Sequence, residues 1–108
     1  MDIENLRNFT AGWFIGDFTP SLHQTKDFEV GVKSFRAGED HASHYHKVAK
    51  EINVILDGSV EVNGILLFKG DVFVMHPYEV TEIEFKTDTR ILVIKTPSAP
   101  GDKYLVED

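Results

Sequence analysis

The sequence predicts an all-β barrel or sandwich with little helix, and three observations support that fold class. From residue 28 onward, short runs rich in β-branched and aromatic residues are separated by Gly, Pro, Asn and Asp. The dipeptide Asn63-Gly64 lies between two apolar-rich runs and suits a type I′ hairpin, because both central residues of that turn take positive φ. No long stretch keeps a helical period, and the best candidate, "DIENLRNF", provides one or two turns.

The strands follow one another in order along the chain, about seven or eight in all. The run "FEVGVKSF" alternates apolar residues at 28, 30 and 32 with polar or small ones, which is typical of a half-buried strand. The other predicted strands lie in "EINVILDG", "SVEVNGILLF", "GDVFVM", "VTEIEF" and "TRILVIK". We therefore expect one domain over residues 1–108, with a barrel core at about 28–96. An N-terminal strand segment (1–27) precedes it, and an extended tail (97–108) follows, lying on the barrel or on a partner.

Composition narrows the class of protein. A chain of 108 residues with 42% hydrophobic residues can bury one core. The net charge of −7, with basic residues dispersed along the sequence, argues against nucleic acid or an anionic membrane as a partner. The chain has neither an apolar run of membrane-spanning length nor an export signal at its start, so we expect a soluble cytoplasmic protein. Because cysteine is absent, any bound metal must have nitrogen and oxygen ligands.

The stretch "HASHYHKVAKE" concentrates metal-ligand side chains. His44 and His46 are two residues apart, so on a strand they point to the same face. A hairpin-type loop over 47–50 would place Glu51 directly across from His46. Two imidazoles and one carboxylate would then converge and leave coordination positions open for water or substrate.

The residues around this cluster resemble a known family. The run "GEDHASHYHKVAKEINVILDG" matches the first cupin motif, G-x5-H-x-H-x4-E-x6-G, at Gly38, His44, His46, Glu51 and Gly58. The run "GDVFVMHPYEVTEIEF" resembles the second motif, G-x5-P-x-G-x2-H-x3-N, only in part. The departures from it are Pro77 one place late, Tyr78 in the position of Gly, and Thr81 in the position of the last His. The resemblance implies a single-domain double-stranded β-helix, the cupin or jelly-roll barrel.

The same resemblance implies a metal site. His44, His46 and Glu51 would hold a divalent ion (iron, manganese, nickel or zinc) in the mouth of the barrel. The fourth family ligand is missing, because a Thr81 hydroxyl binds such an ion far more weakly than imidazole does. Three possibilities stay open: three protein ligands plus water, recruitment of Glu79, or loss of the metal. His76 is a further candidate for the mouth of the barrel or for acid–base chemistry.

Three functions stay open from the sequence, the weakest being an interaction subunit whose exposed tail and aromatic N-terminus dock a partner. The first is a metalloprotein that acts on or binds a small organic molecule, with oxygenase, isomerase and lyase chemistry all possible and no cofactor beyond the ion. The second is a metal-free or metal-anchored binding module for a small ligand such as a saccharide, without catalysis. The resemblance also implies a homodimer. The predicted lining of the cup is apolar: Ile52, Val54, Leu56, Val74, Ile83 and Phe85.

Overall fold

A computed structural model describes residues 1–106, which form ten strands and two short 3₁₀ helices. The helices span Leu6–Asn8 and Thr10–Gly12, and at three residues each neither is long enough to cross a membrane. The strands are β1 Trp13–Ile15, β2 Glu29–Phe35, β3 His44–Tyr45, β4 Lys50–Asp57, β5 Ser59–Val62, β6 Ile65–Phe68, β7 Val72–Met75, β8 Ile83–Phe85, β9 Thr89–Thr96 and β10 Tyr104–Leu105.

The strands form three antiparallel sheets around one core. A five-stranded sheet has the order β1-β2-β9-β4-β7, a three-stranded sheet the order β6-β5-β8, and a two-stranded sheet joins β10 to β3. The buried core residues come from strands β4, β5, β8 and β9, and they are Ile55, Val60, Val62, Phe85, Ile91 and Val93. The core therefore lies between the two larger sheets. Together with the two three-residue helices, this confirms the predicted all-β barrel with little helix.

The hairpin predicted at Asn63-Gly64 is present. Asn63 has φ 49° and Gly64 has φ 80°, as a type I′ turn requires. The turn pairs Val62 with Ile65 and joins β5 to β6.

Strand β2 has the predicted alternation, but the opposite face is buried. Glu29 and Gly31 point inward, whereas Val30 and Val32 lie only half-buried on the outer side. The buried Glu29 carboxylate accepts a hydrogen bond from Ser98 Oγ at 3.0 Å. Position 31 has to be glycine, because the Trp13 ring would lie only 2.6 Å from the Cβ of any other residue there. The sequence therefore indicated the period of this strand, while the burial of its small and charged residues depends on partners far along the chain.

The tail folds back on the barrel as a C-terminal arm, defined here as residues 97–106; residues 107 and 108 of the predicted tail lie outside the described residues. Strand β10 in this arm pairs with β3, opposing Tyr104 to Tyr45 and Leu105 to His44. The Val106 N–H donates to the Ser43 carbonyl at 3.0 Å. The arm thus pairs with the strand that carries His44.

The loop between His46 and Glu51 is not the hairpin that the sequence suggested. Strand β3 pairs with β10, and β4 pairs with β7 and β9. The N–H groups of Lys47, Val48 and Ala49 instead donate to the Asp102 carboxylate of the arm, at 2.9, 3.1 and 2.9 Å. This carboxylate holds the turn that redirects the chain from His46 into β4.

Candidate functional site

A cavity of about 280 Å³ opens between the five-stranded sheet and the strands that face it. This volume is near the lower end of the range for small-molecule sites and corresponds to about nine water molecules at roughly 30 Å³ each. Its apolar floor consists of Phe35, Phe73, Ile83, Phe85, Ile91 and Val93. The polar and charged lining residues come from several strands and from the C-terminal arm.

His44, His46 and Glu51 all line this cavity. His46 Nε2 lies 3.5 Å from Glu51 Oε2, and both side chains are largely buried. The rings of His44 and His46 have centroids 5.5 Å apart and are nearly perpendicular. These residues lie on different segments and line one cavity, and the connection from His46 to Glu51 is a turn and not the hairpin that the sequence suggested.

These side chains fit a metal ion in some respects. A tetrahedral ion with bonds of about 2.1 Å would separate two donor atoms by about 3.4 Å, close to the His46–Glu51 distance. His44 Nδ1 faces the Ala42 carbonyl oxygen at 3.4 Å, a contact that in metal sites orients a ring so that Nε2 can bind. As they stand, however, no three His, Asp or Glu side chains within residues 1–106 are grouped closely enough to hold an ion. A shared ion would require His44 to move toward the His46–Glu51 pair.

Of the residues in the partial second motif, Thr81 lines the cavity, whereas Glu79 and His76 do not. Thr81 is buried, lines the cavity, and exchanges backbone hydrogen bonds with His44 at 2.7 and 3.2 Å. Glu79 does not reach the cavity, because its carboxylate accepts the His76 N–H at 3.0 Å and closes the local turn. Of the three possibilities for the missing ligand, recruitment of Glu79 has no support in this arrangement. His76 is exposed and does not line the cavity either.

The apolar lining differs from the prediction. Ile83 and Phe85 line the cavity, but Ile52, Val54, Leu56 and Val74 do not. Successive strand residues point to opposite faces, so placing Glu51 inside requires Asn53 and Ile55 inside and their neighbours in β4 outside. The pattern of β4 is almost continuously apolar, and that is why hydrophobicity alone did not distinguish its two faces.

Three lysines line the cavity, although no sequence pattern indicates that they meet. Lys33 comes from β2, Lys95 from β9 and Lys103 from the C-terminal arm. Lys95 Nζ lies 4.0 Å from Glu51 and 3.8 Å from Glu29. Lys33 is 62 positions from Lys95, and Lys103 follows Lys95 by eight positions, so the register of β2 on β9 and the fold-back of the arm bring the three together.

Two ring side chains complete the rim. Trp13 lines the cavity with Lys33 and Lys95 Nζ lying 5.2 and 5.0 Å from its ring centre. Its strand β1 pairs with β2 at the edge of the five-stranded sheet. His41 lies in a loop but also lines the cavity, contacts the Phe35 ring edge-on and lies 2.6 Å from the Glu39 carboxylate.

The electrostatics favour neutral imidazoles. Burial lowers the pKa of His44, and the positive charge of Lys103 lowers it further. Burial also lowers the pKa of His46, and this outweighs the opposing effect of Glu51. Burial, followed by Lys95 and Lys103, lowers the pKa of Lys33. The histidines thus keep the uncharged form that ligates metals.

Solved structures similar to this chain identify the type of barrel. A protein with a double-stranded β-helix domain from Klebsiella pneumoniae is 25% identical, with a TM-score of 0.68 over 78% of this chain and 74% of that chain. A cupin-2 domain protein from Shewanella frigidimarina matches at 16% identity and TM-score 0.57, over 67% and 72% of the two chains. The chain therefore has the cupin fold, a double-stranded β-helix. Consistent with this, Tyr78 stands where the cupin motif has Gly and has a positive φ of 69°.

The cupin barrel also occurs within a larger enzyme. A salicylate 1,2-dioxygenase from Pseudaminobacter salicylatoxidans is 20% identical, with a TM-score of 0.59 over 67% of this chain and 22% of that one. No protein-family model matches the chain, and no curated protein is similar enough to count as a match. The likeness is therefore to the fold, and function has to be argued from the cavity.

Proposed function

We propose that this small cupin-fold protein binds a small organic molecule at a divalent metal ion held by His44, His46 and Glu51. The observation that carries the proposal is that all three side chains line one cavity, with His46 Nε2 and Glu51 Oε2 separated by 3.5 Å. Iron, manganese, nickel and zinc all accept this donor set. The presence of the cupin barrel in a salicylate dioxygenase supports the idea that such a cavity can take part in chemistry on a small molecule.

Each part of the cavity has a role in this proposal. The neutral imidazoles and the Glu51 carboxylate would bind the ion. When bound, a divalent ion would act as a Lewis acid on an oxygen of the organic molecule. The apolar floor, including Phe35, Phe73 and Phe85, would hold the body of the molecule and exclude water.

A second candidate is a small-ligand binding barrel without catalysis and without a metal, for which a saccharide is one possible ligand. Two observations favour it. Thr81 supplies a hydroxyl where cupins have a histidine, and no described residue replaces that ligand. In addition, Glu79 and His76 do not line the cavity, which removes the possible substitute ligand and the candidate for acid–base chemistry.

Metal analysis separates the two candidates. The protein should be produced without an affinity tag and its metal content measured by inductively coupled plasma mass spectrometry. We expect close to one equivalent of a divalent ion in the parent protein and in His76→Ala, a control histidine outside the cavity. His44→Ala and Glu51→Ala should lose the ion and keep the circular dichroism spectrum of the fold. Retention of a full equivalent in both variants would show that the ligands are wrong, and absence of metal from the parent protein would favour the second candidate.

We also propose that two copies associate through the outer face of the five-stranded sheet. This outer face carries two rows of aliphatic side chains that cross four strands in register: Val30, Ile94, Ile52 and Val74, then Val32, Leu92, Val54 and Val72. Val72 and Val74 are 58% and 39% exposed. A continuous apolar sheet surface of this kind is typical of an interface, and a symmetric dimer would cover it with an identical patch.

A further inference from the structure

The charges around the cavity differ in sign from those of the protein as a whole. The chain has a net charge of −7, yet Lys33, Lys95 and Lys103 line the cavity together with a single carboxylate, Glu51. Glu29 lies behind Lys95 at 3.8 Å and offsets part of its charge. Lys33 donates to the Ala11 carbonyl at 2.6 Å, a neutral acceptor. Within residues 1–106, neither Lys33 nor Lys103 has a carboxylate within 4.0 Å.

A buried donor in the same cavity also calls for a ligand, because it lacks a hydrogen-bond acceptor. Asn53 lines the cavity and is 3% exposed, and its Nδ2 is a buried side-chain donor without a hydrogen-bond partner in the described structure. A buried unpaired donor costs free energy unless a ligand or water accepts its hydrogen bond. Asn53 is cross-strand to Phe73 and to Val93, so the donor lies against the apolar floor.

These two observations lead to one ligand class. We propose that the cavity binds a small organic carboxylate, with its anionic end toward Lys33, Lys95 and Lys103 and its apolar body on the phenylalanine floor. The floor favours an organic anion over an inorganic one, because an inorganic ion would leave that surface without a partner. The cavity contains no arginine, so its positive charges are the compact ammonium groups of lysine. These attract a carboxylate without requiring the planar, two-point geometry that a guanidinium favours. This inference concerns the same cavity as the proposed function and rests on it in naming the class of ligand that binds there. Its evidence, however, is the three lysines and not the metal ion.

The single tryptophan of the chain makes the test direct, because Trp13 lies in the wall of the cavity. Its fluorescence should be titrated with sodium benzoate and with benzamide, which match in shape and differ in charge, and calorimetry should give both affinities. We expect benzoate to bind at least tenfold more tightly than benzamide. That preference should fall at least tenfold in Lys33→Gln and in Lys103→Gln. It should be unchanged in Lys69→Gln, an exposed lysine outside the cavity.

Each titration should be done on protein stripped of metal and on protein loaded with manganese, so that failure of the metal proposal and failure of this inference are distinct. Lysine-dependent benzoate binding to metal-free protein supports the inference even where metal analysis finds no ion. Equal affinities for benzoate and benzamide overturn it. So does a preference for benzoate that persists in both lysine variants, since the carboxylate would then bind elsewhere or to the ion. Tighter binding of inorganic phosphate than of benzoate would also overturn it.

Discussion

Removing the Asp102 carboxylate should release the C-terminal arm from the barrel. This buried carboxylate accepts N–H bonds from Lys47, Val48 and Ala49 at 2.9, 3.1 and 2.9 Å, so Asp102→Ala leaves three donors without their acceptor. Hydrogen bonds to charged groups contribute about 1.5–3 kcal/mol each, but three that share one carboxylate are not additive, and we take about 3 kcal/mol for the set. That free energy corresponds to about a hundredfold change in the opening equilibrium of the arm.

Amide hydrogen exchange measured by NMR reads this change residue by residue. The amides of residues 47–49, and of Val106 where the arm meets Ser43, should exchange about a hundredfold faster in Asp102→Ala. Core amides such as those of Ile55 and Val93 should change far less. Asp40→Ala, at an exposed position, is the matched control. If residues 47–49 keep their protection in Asp102→Ala, the carboxylate does not hold the arm, and the reasoning that places Lys103 beside the cavity fails with it.

Four further predictions concern pH, the metal, the buried amide and the dimer. Burial raises the pKa of Asp102, but the three backbone N–H bonds outweigh this and hold it below the ordinary value of 3.8. The stabilisation by Asp102 is therefore complete above pH 3.8 and is lost as pH falls through the lower folded-state pKa; exchange protection of the arm that disappears at pH 5 would contradict this. Thr81→His restores the cupin residue in the cavity and should raise metal affinity at least tenfold in a chelator competition, whereas Thr81→Val should not; equal affinities would contradict the assignment of this position. Asn53→Leu removes the unpaired buried donor and should raise the free energy of unfolding by about 1–2 kcal/mol in urea denaturation; a loss of stability would mean that the donor is satisfied. Val54→Lys should convert a dimer into a monomer in light scattering, and a parent protein that is itself monomeric would refute the proposed interface.

Short-range patterns predicted the parts of this fold that depend on neighbouring residues. The Asn63-Gly64 turn was predictable because its positive φ angles exclude most other residues. The cupin motif located His44, His46 and Glu51, which line one cavity. In each case the information lies within about twenty residues of sequence.

Most of the contacts that the sequence did not reveal are long-range, and one is local. The predicted lining placed Ile52 and Val54 inside because β4 is rich in apolar residues, although the two-residue period from the inward Glu51 excludes both. The lysines of the cavity come from β2, from β9 and from the C-terminal arm, and strand pairing and the fold-back of the arm bring them together. Glu79 appeared to be a substitute ligand by position, but it caps its own turn through a hydrogen bond that composition does not indicate.

The most direct test of the metal proposal is a crystal of the protein grown with manganese, with anomalous diffraction data collected near the absorption edge of that ion. We predict one strong anomalous peak in the cavity, at about 2.0–2.3 Å from an imidazole nitrogen of His44, an imidazole nitrogen of His46 and a Glu51 carboxylate oxygen. No peak in the cavity, or a peak bound elsewhere, would contradict the proposal.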